Sequence, residues 1–202
     1  MYSVKSGLII TFHGCDAEVC NAIVKGAPFK PSENDYDWLG HRMYFWEYNE
    51  QRALEFAIEQ KNNPRHEGQI IITPAVLGAV LDLKHCLDLS DSKYLDLVRN
   101  SYDNLAYSYE LLGKDLPINS PVKSSNDKLL RRLDCAVIEN LHALLDSEPF
   151  DSVKGIFVEG EPLYEGAGFN TKNHIQICIR NPNCIKAFFY PRKLEVWPVK
   201  KK

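Results

Sequence analysis

The sequence predicts an α+β fold with strands at both ends of the chain and helices in the middle. Short β-branched and apolar runs cluster before residue 84 and after residue 152. Between them lie two long stretches whose apolar residues recur at helical spacing. The 202 residues, 45% hydrophobic and 25% charged, suffice for one domain with a substantial core. We therefore read 1–202 as a single domain carrying a helical insert at about 87–147.

In chain order, "SGLIITF" (6–12) reads as a first strand and "DAEVCNAIV" (16–24) as a short helix with Asp16 as N-cap. The prolines, glycines and polar cluster of 25–40 predict a loop. "HRMYFWE" (41–47) is a short strand, and "NEQRALEFAIEQK" (49–61) a helix capped by Asn49 with Ala53, Phe56 and Ala57 inward. In 68–83, "GQIIITPAVLGAVLDL", Pro74 predicts a bend between two extended pieces. Apolar residues at 94, 95, 98, 102, 105, 109 and 112 form a helical stripe that Gly113 ends, and 127–146 gives a second amphipathic helix. "SVKGIFVEG", "NHIQICIR" and "IKAFFYPR" are closing strands, with a glycine-containing loop at 161–172.

The net charge of -3 argues against a broad non-specific nucleic-acid binder. The terminal lysines 200–202 read as a solvated tail. No apolar run reaches membrane-spanning length, so no membrane partner is expected. The six cysteines show no metal-ligand spacing and read as reduced thiols, and no metal site is expected. These features together imply a soluble protein of a reducing cytoplasm.

"FHGCDAEVCNAIVKG", followed by "GHRMYFWEYNEQRALEFA", resembles the nicotinamide-binding half of the ADP-ribosyltransferases of the diphtheria-toxin and poly(ADP-ribose) polymerase type. That group carries an H-G-[ST] strand end, then a G-x-G-[IV]-Y-F strand and an alanine-bearing helix. "GQIIITPAVLGAVLDLKHC" is similar to its next strand, and "HIQICIRNPNCIKAFF" lies where it keeps its catalytic strand. The resemblance covers roughly 6–86 and 153–192. It implies a split-sheet ADP-ribosyltransferase-like fold and NAD as substrate.

The resemblance also implies residue roles. His13 would bond the ribose next to adenine, and the Gly14 backbone would pair with the nicotinamide carboxamide. Tyr44 would stack on nicotinamide, with Phe56 near the second ring of that sandwich. Gln176 falls at the third motif position, usually Glu, with Glu159, Glu161 and Glu165 as other carboxylates nearby. His174, on the same strand face as Gln176, would sit on the acceptor side as a general base. Arg52 replaces a small hydroxyl and would reach the pyrophosphate. Cys15 stands where Ser or Thr is usual. The chemistry is cleavage of the nicotinamide–ribose bond through an oxocarbenium-like transition state. Stacked rings would hold the leaving group, and polar groups at the ribose would answer the growing positive charge.

The implied function is NAD-dependent mono-ADP-ribosylation of a macromolecular acceptor, protein or nucleic acid, by a bacterial toxin or defence enzyme, with a possible antitoxin partner. A glutamine cannot supply negative charge. An NAD glycohydrolase and a non-catalytic NAD- or ADP-ribose-binding module are therefore the alternatives.

Overall fold

The structure, a computed structural model, describes residues 7–64, 70–121, 127–145 and 147–192. The terminal lysines 200–202 and the outermost residues of the predicted segments 6–12, 68–83 and 127–146 lie outside these. Its centre is a seven-stranded sheet. The strands are β1 (Ile9–Asp16), β2 (Met43–Glu47), β3 (Pro74–Leu81), β4 (Cys86–Asp88), β7 (Ser152–Phe157), β8 (His174–Ile179) and β9 (Ile185–Phe189). Their spatial order is β4-β7-β8-β2-β1-β3-β9, and only the β4–β7 pair is parallel. Two short strands, β5 (Asn119–Ser120) and β6 (Leu130–Arg131), pair separately. The helices are α1 (Ala17–Val24), α2 (Glu50–Asn62), α3 (Ser92–Leu111) and α4 (Arg132–Leu144).

Side chains alternate across the strands, so register fixes what each face holds. One face carries Gly14, Tyr44, Trp46, His174, Gln176 and Cys178, because Tyr44 lies opposite Cys178 and Trp46 opposite Gln176. Helix α2 packs against this face at Gly14. The α4 residues Ile138 and Leu141 join Leu39, Val153 and Cys178 further along it. The opposite face carries His13, Cys15, Phe45, Leu77 and Ile177. Helix α1 closes one part of it through Cys20 and Ile23, and Phe29 packs against the rest.

The predicted caps form. The Asp16 carboxylate accepts from Glu18 N and the Asn49 amide oxygen from Arg52 N. Beyond Leu111, Gly113 takes a positive φ of 61°, as expected of a glycine ending a helix. The expected elements differ from the observed ones in several places, among them residues 70–73, which form no strand. β1 runs on through His13 and Gly14, because its ladder with β3 continues to Asp16 opposite Pro74. Pro74 starts β3 instead of bending it, as suits a residue that gives the ladder no N–H. α4 begins at Arg132, since Leu130–Arg131 pair with β5. The sheet is continuous, with β2 bonded to β1 on one side and β8 on the other, so the expected split is absent from the pairing.

The middle of the chain is also no appendage. It supplies β4 to the sheet and α4 to the core, and Glu139 of α4 accepts from His41 N and pairs with Arg180. All six cysteines are free, and no helix among the described residues is long and apolar enough to cross a membrane.

Candidate functional site

At the Trp46–Gln176 end of the β2–β8 pair, charged and aromatic groups are buried together. Arg52, in the first turn of α2, is 7% exposed, and its guanidinium lies 6.0 Å from the centre of the Trp46 ring. It pairs with Glu59, two turns further along the same face of α2, at 3.4 Å, and with Glu159 at 3.8 Å. Glu159 is itself 5% exposed, and Lys172 N donates to its carbonyl, which ties the segment after β7 to the start of β8. Lys172 Nζ donates to Glu59 at 2.9 Å. Arg52 beside it helps to offset the cost of burying Glu159, since isolated buried charges are strongly disfavoured.

His174 completes the cluster. Its Nδ1 lies 2.6 Å from the Lys172 carbonyl, which can only accept, so Nδ1 carries the proton and Nε2 the lone pair. Burial, the dominant cause, pulls the His174 pKa down to about 4. The imidazole is therefore neutral near pH 7 and a weaker base than the predicted general-base role wants. Phe56 packs 5.0 Å from Trp46, and the Phe157 ring lies 5.6 Å from His174. Gln176 sits half-buried between Trp46 of β2 and Gly155 of β7, and its amide makes no hydrogen bond among the described residues. Three buried nitrogens of the cluster, Trp46 Nε1, Arg52 Nε and His174 Nε2, also lack partners. Such orphaned groups are rare in protein interiors and mark a place where a polar ligand or solvent completes the structure. No group of His, Cys, Asp and Glu among the described residues is arranged to hold a metal ion.

Arg52, Phe56, His174 and Gln176 thus lie around Trp46 at this end of the sheet. His13, Gly14 and Tyr44 do not join them, for three different reasons. His13 faces the other side of the sheet, where it makes edge contacts with Phe29 at 4.8 Å and Phe45 at 5.9 Å. Its Nδ1 donates to the Tyr44 carbonyl, and burial lowers its pKa. Gly14 is covered by α2: a Cβ there would stand 2.0 Å from the Ala53 carbonyl oxygen. The Tyr44 hydroxyl donates to the Gly40 carbonyl at 2.7 Å and accepts from Leu39 N at 2.8 Å, closing the turn before β2. Its ring packs on the core that Leu39, Ile138 and Cys178 build. The second ring of the site is Trp46, two residues on, which shares Tyr44's strand face.

Lys172 and Glu59 gave no sequence signal, since each is an ordinary exposed-type charge until the fold brings them to Arg52. Comparison of the chain with family models, with curated proteins and with solved structures found no match.

Proposed function

We propose that the protein is an NAD-dependent mono-ADP-ribosyltransferase whose chemistry is carried by the Trp46–Arg52–Gln176 cluster, with a protein or nucleic-acid acceptor. The observation that supports this reading is the convergence of Arg52, Phe56, His174 and Gln176 on one buried, aromatic-lined and incompletely bonded site. On this reading the Trp46 and Phe56 rings supply the apolar surface for nicotinamide. The unengaged Gln176 amide takes a hydroxyl of the ribose. Arg52 and Lys172 provide cationic groups for the pyrophosphate, and Glu159 contributes negative charge near the ribose as positive charge grows there. His174, neutral and with its lone pair on Nε2, offers an acceptor to the incoming nucleophile.

The test is incubation of the protein with labelled NAD and cell extract. The expected result is label on a macromolecule together with released nicotinamide. Changing Gln176 to Ala should lower nicotinamide release about 100-fold, the scale of losing one transition-state hydrogen bond. Free nicotinamide without a labelled macromolecule would assign hydrolysis. Absence of both would sink the proposal.

One observation favours a binding module instead: the third motif position is neutral, and the nearby Glu159 charge is already answered by Arg52. Tight NAD binding without turnover, converted to measurable nicotinamide release by Gln176→Glu, is the outcome that reading expects.

A further inference from the structure

Arg42 holds a backbone conformation that its residue type disfavours. Its φ is +138°, a region that glycine occupies readily and a side chain does not. Two backbone hydrogen bonds pin it there, Ser32 N to Arg42 O at 2.8 Å and Arg42 N to Ser32 O at 2.9 Å. Strained residues of this kind persist where the surroundings over-determine them, and they concentrate where a side chain has a task. The packing of the core gives the Arg42 side chain none: it is 43% exposed, and its ion pair is with Glu33 at 3.7 Å, itself 69% exposed. Solvent screens such a pair almost completely.

Arg42 lines a groove of about 540 Å³, within the range of small-molecule sites. The groove lies on the His13 face, at the Met43–Ile179 end of the β2–β8 pair. Its walls are flat and apolar. Phe29 and Phe188 lie nearly parallel, 14° apart, with Met43 and Ile185 beside them. Arg42 and Lys186 supply basic side chains to its lining. Arg180 also lines it, but its two terminal nitrogens donate to Glu139 of α4, so its charge is answered on the Gln176 face. Lys186 donates to the Asn183 carbonyl and forms a partly exposed pair with Asp82 at 3.7 Å, which solvent weakens as it does the Arg42–Glu33 pair.

We propose that this groove binds a nucleoside phosphate, with the base against Phe29, Phe188 and Met43 and the phosphate on Arg42 and Lys186. Flat aromatic walls suit a planar ring better than an alkyl chain, and clustered cations suit a doubly charged phosphate better than a single carboxylate. The assignment does not rest on the transferase reading, because the groove and Gln176 lie on opposite faces of the sheet.

The experiment is calorimetric titration of the full chain with AMP, adenosine and inorganic phosphate separately, repeated on Arg42→Gly and Phe29→Ala. AMP should bind saturably, and adenosine and phosphate should each bind at least about tenfold more weakly, since each keeps only part of the contact set. Arg42→Gly should weaken AMP at least about tenfold through loss of a charge-assisted contact, while its melting temperature holds or rises because glycine relaxes the backbone. That pairing separates a ligand role from a structural one. The proposal is overturned if AMP does not bind, if phosphate alone binds as tightly as AMP, or if Arg42→Gly binds AMP as the parent does. Nicotinamide release is followed on the same samples. AMP should bind without competing with NAD there, as a site on the opposite face requires; AMP that competes with NAD would place it at the Gln176 site and overturn the groove. AMP binding without any nicotinamide release would overturn the transferase reading alone.

Discussion

His13 and His174 occupy opposite faces of one sheet, and both donate Nδ1–H to a backbone carbonyl. Both are held neutral by burial. Their surroundings differ in kind. Around His13 lie Phe29, Phe45 and apolar strand residues, and the ring behaves as a core side chain with one polar tether. Around His174 lie Arg52, Glu159, Trp46 and Gln176, with several nitrogens left unbonded. A histidine at a strand end is thus not informative by itself. What distinguishes a candidate site is the company of buried, incompletely satisfied polar groups.

The sharpest way to break the contrast is at Gly14, which the sequence associates with ligand and the structure with helix packing. Gly14→Ala should destabilise the fold by more than about 3 kcal/mol in urea denaturation, beyond ordinary overpacking, because the clash is with backbone. Gly168→Ala, in open space, is the control and should change stability by less than about 0.5 kcal/mol. A Gly14→Ala protein of normal stability would mean that α2 does not sit against β1.

Next in size is the charged side. Arg52→Met leaves Glu159 buried without its cation and should cost about 3–5 kcal/mol. Adding Glu159→Gln should restore part of that loss. A double-mutant cycle showing simple additivity would deny the coupling between them.

The pH response should be smaller. The unfolded chain protonates its histidines near 6.5, whereas folded His174 resists until about 4. Stability should therefore fall as pH drops from 6.5 towards 4, by about 1.4 kcal/mol per unit and about 2 kcal/mol by pH 5. His13 and His142 act in the same direction. His174→Gln should flatten the slope in denaturation curves taken between pH 7 and pH 5; an unchanged slope would assign the acid sensitivity elsewhere.

The smallest effect expected is that of Tyr44→Phe. It should cost about 1–2 kcal/mol through the loss of the Leu39 and Gly40 hydrogen bonds and, on the transferase reading we propose, leave the KM for NAD unchanged. A raised KM at full stability would return Tyr44 to the ligand.

These expectations show which features sequence could carry. The order of the main helices and long strands, the caps at Asp16 and Asn49 and the inward Ala53 and Ala57 were legible because they depend on local spacing, whereas the short β4, β5 and β6 inside the helical middle were not. The grouping of His174 with Gln176 followed from strand alternation alone. Which face His13 takes was not legible, because it depends on where β1 stops, and that is set by the long-range ladder to β3. The competition between a ligand and α2 for Gly14 was equally hidden, since nothing near Gly14 in sequence reports how closely Ala53 approaches. Glu159 was visible only as one carboxylate among several until Arg52 and His174 singled it out.

The placement of β8 has a consequence for how the chain is made. β2 needs partners on both sides, and one of them arrives only with the last third of the polypeptide. As the ribosome releases the chain, β1, β2 and β3 can assemble early, but the Met43–Glu47 edge and its aromatic residues stay uncovered until His174–Ile179 emerges. Pairings between such distant segments form slowly, and a waiting strand edge invites association with other chains. Yield of the native protein should thus respond to translation speed and chaperone supply more than to the stability of the finished fold.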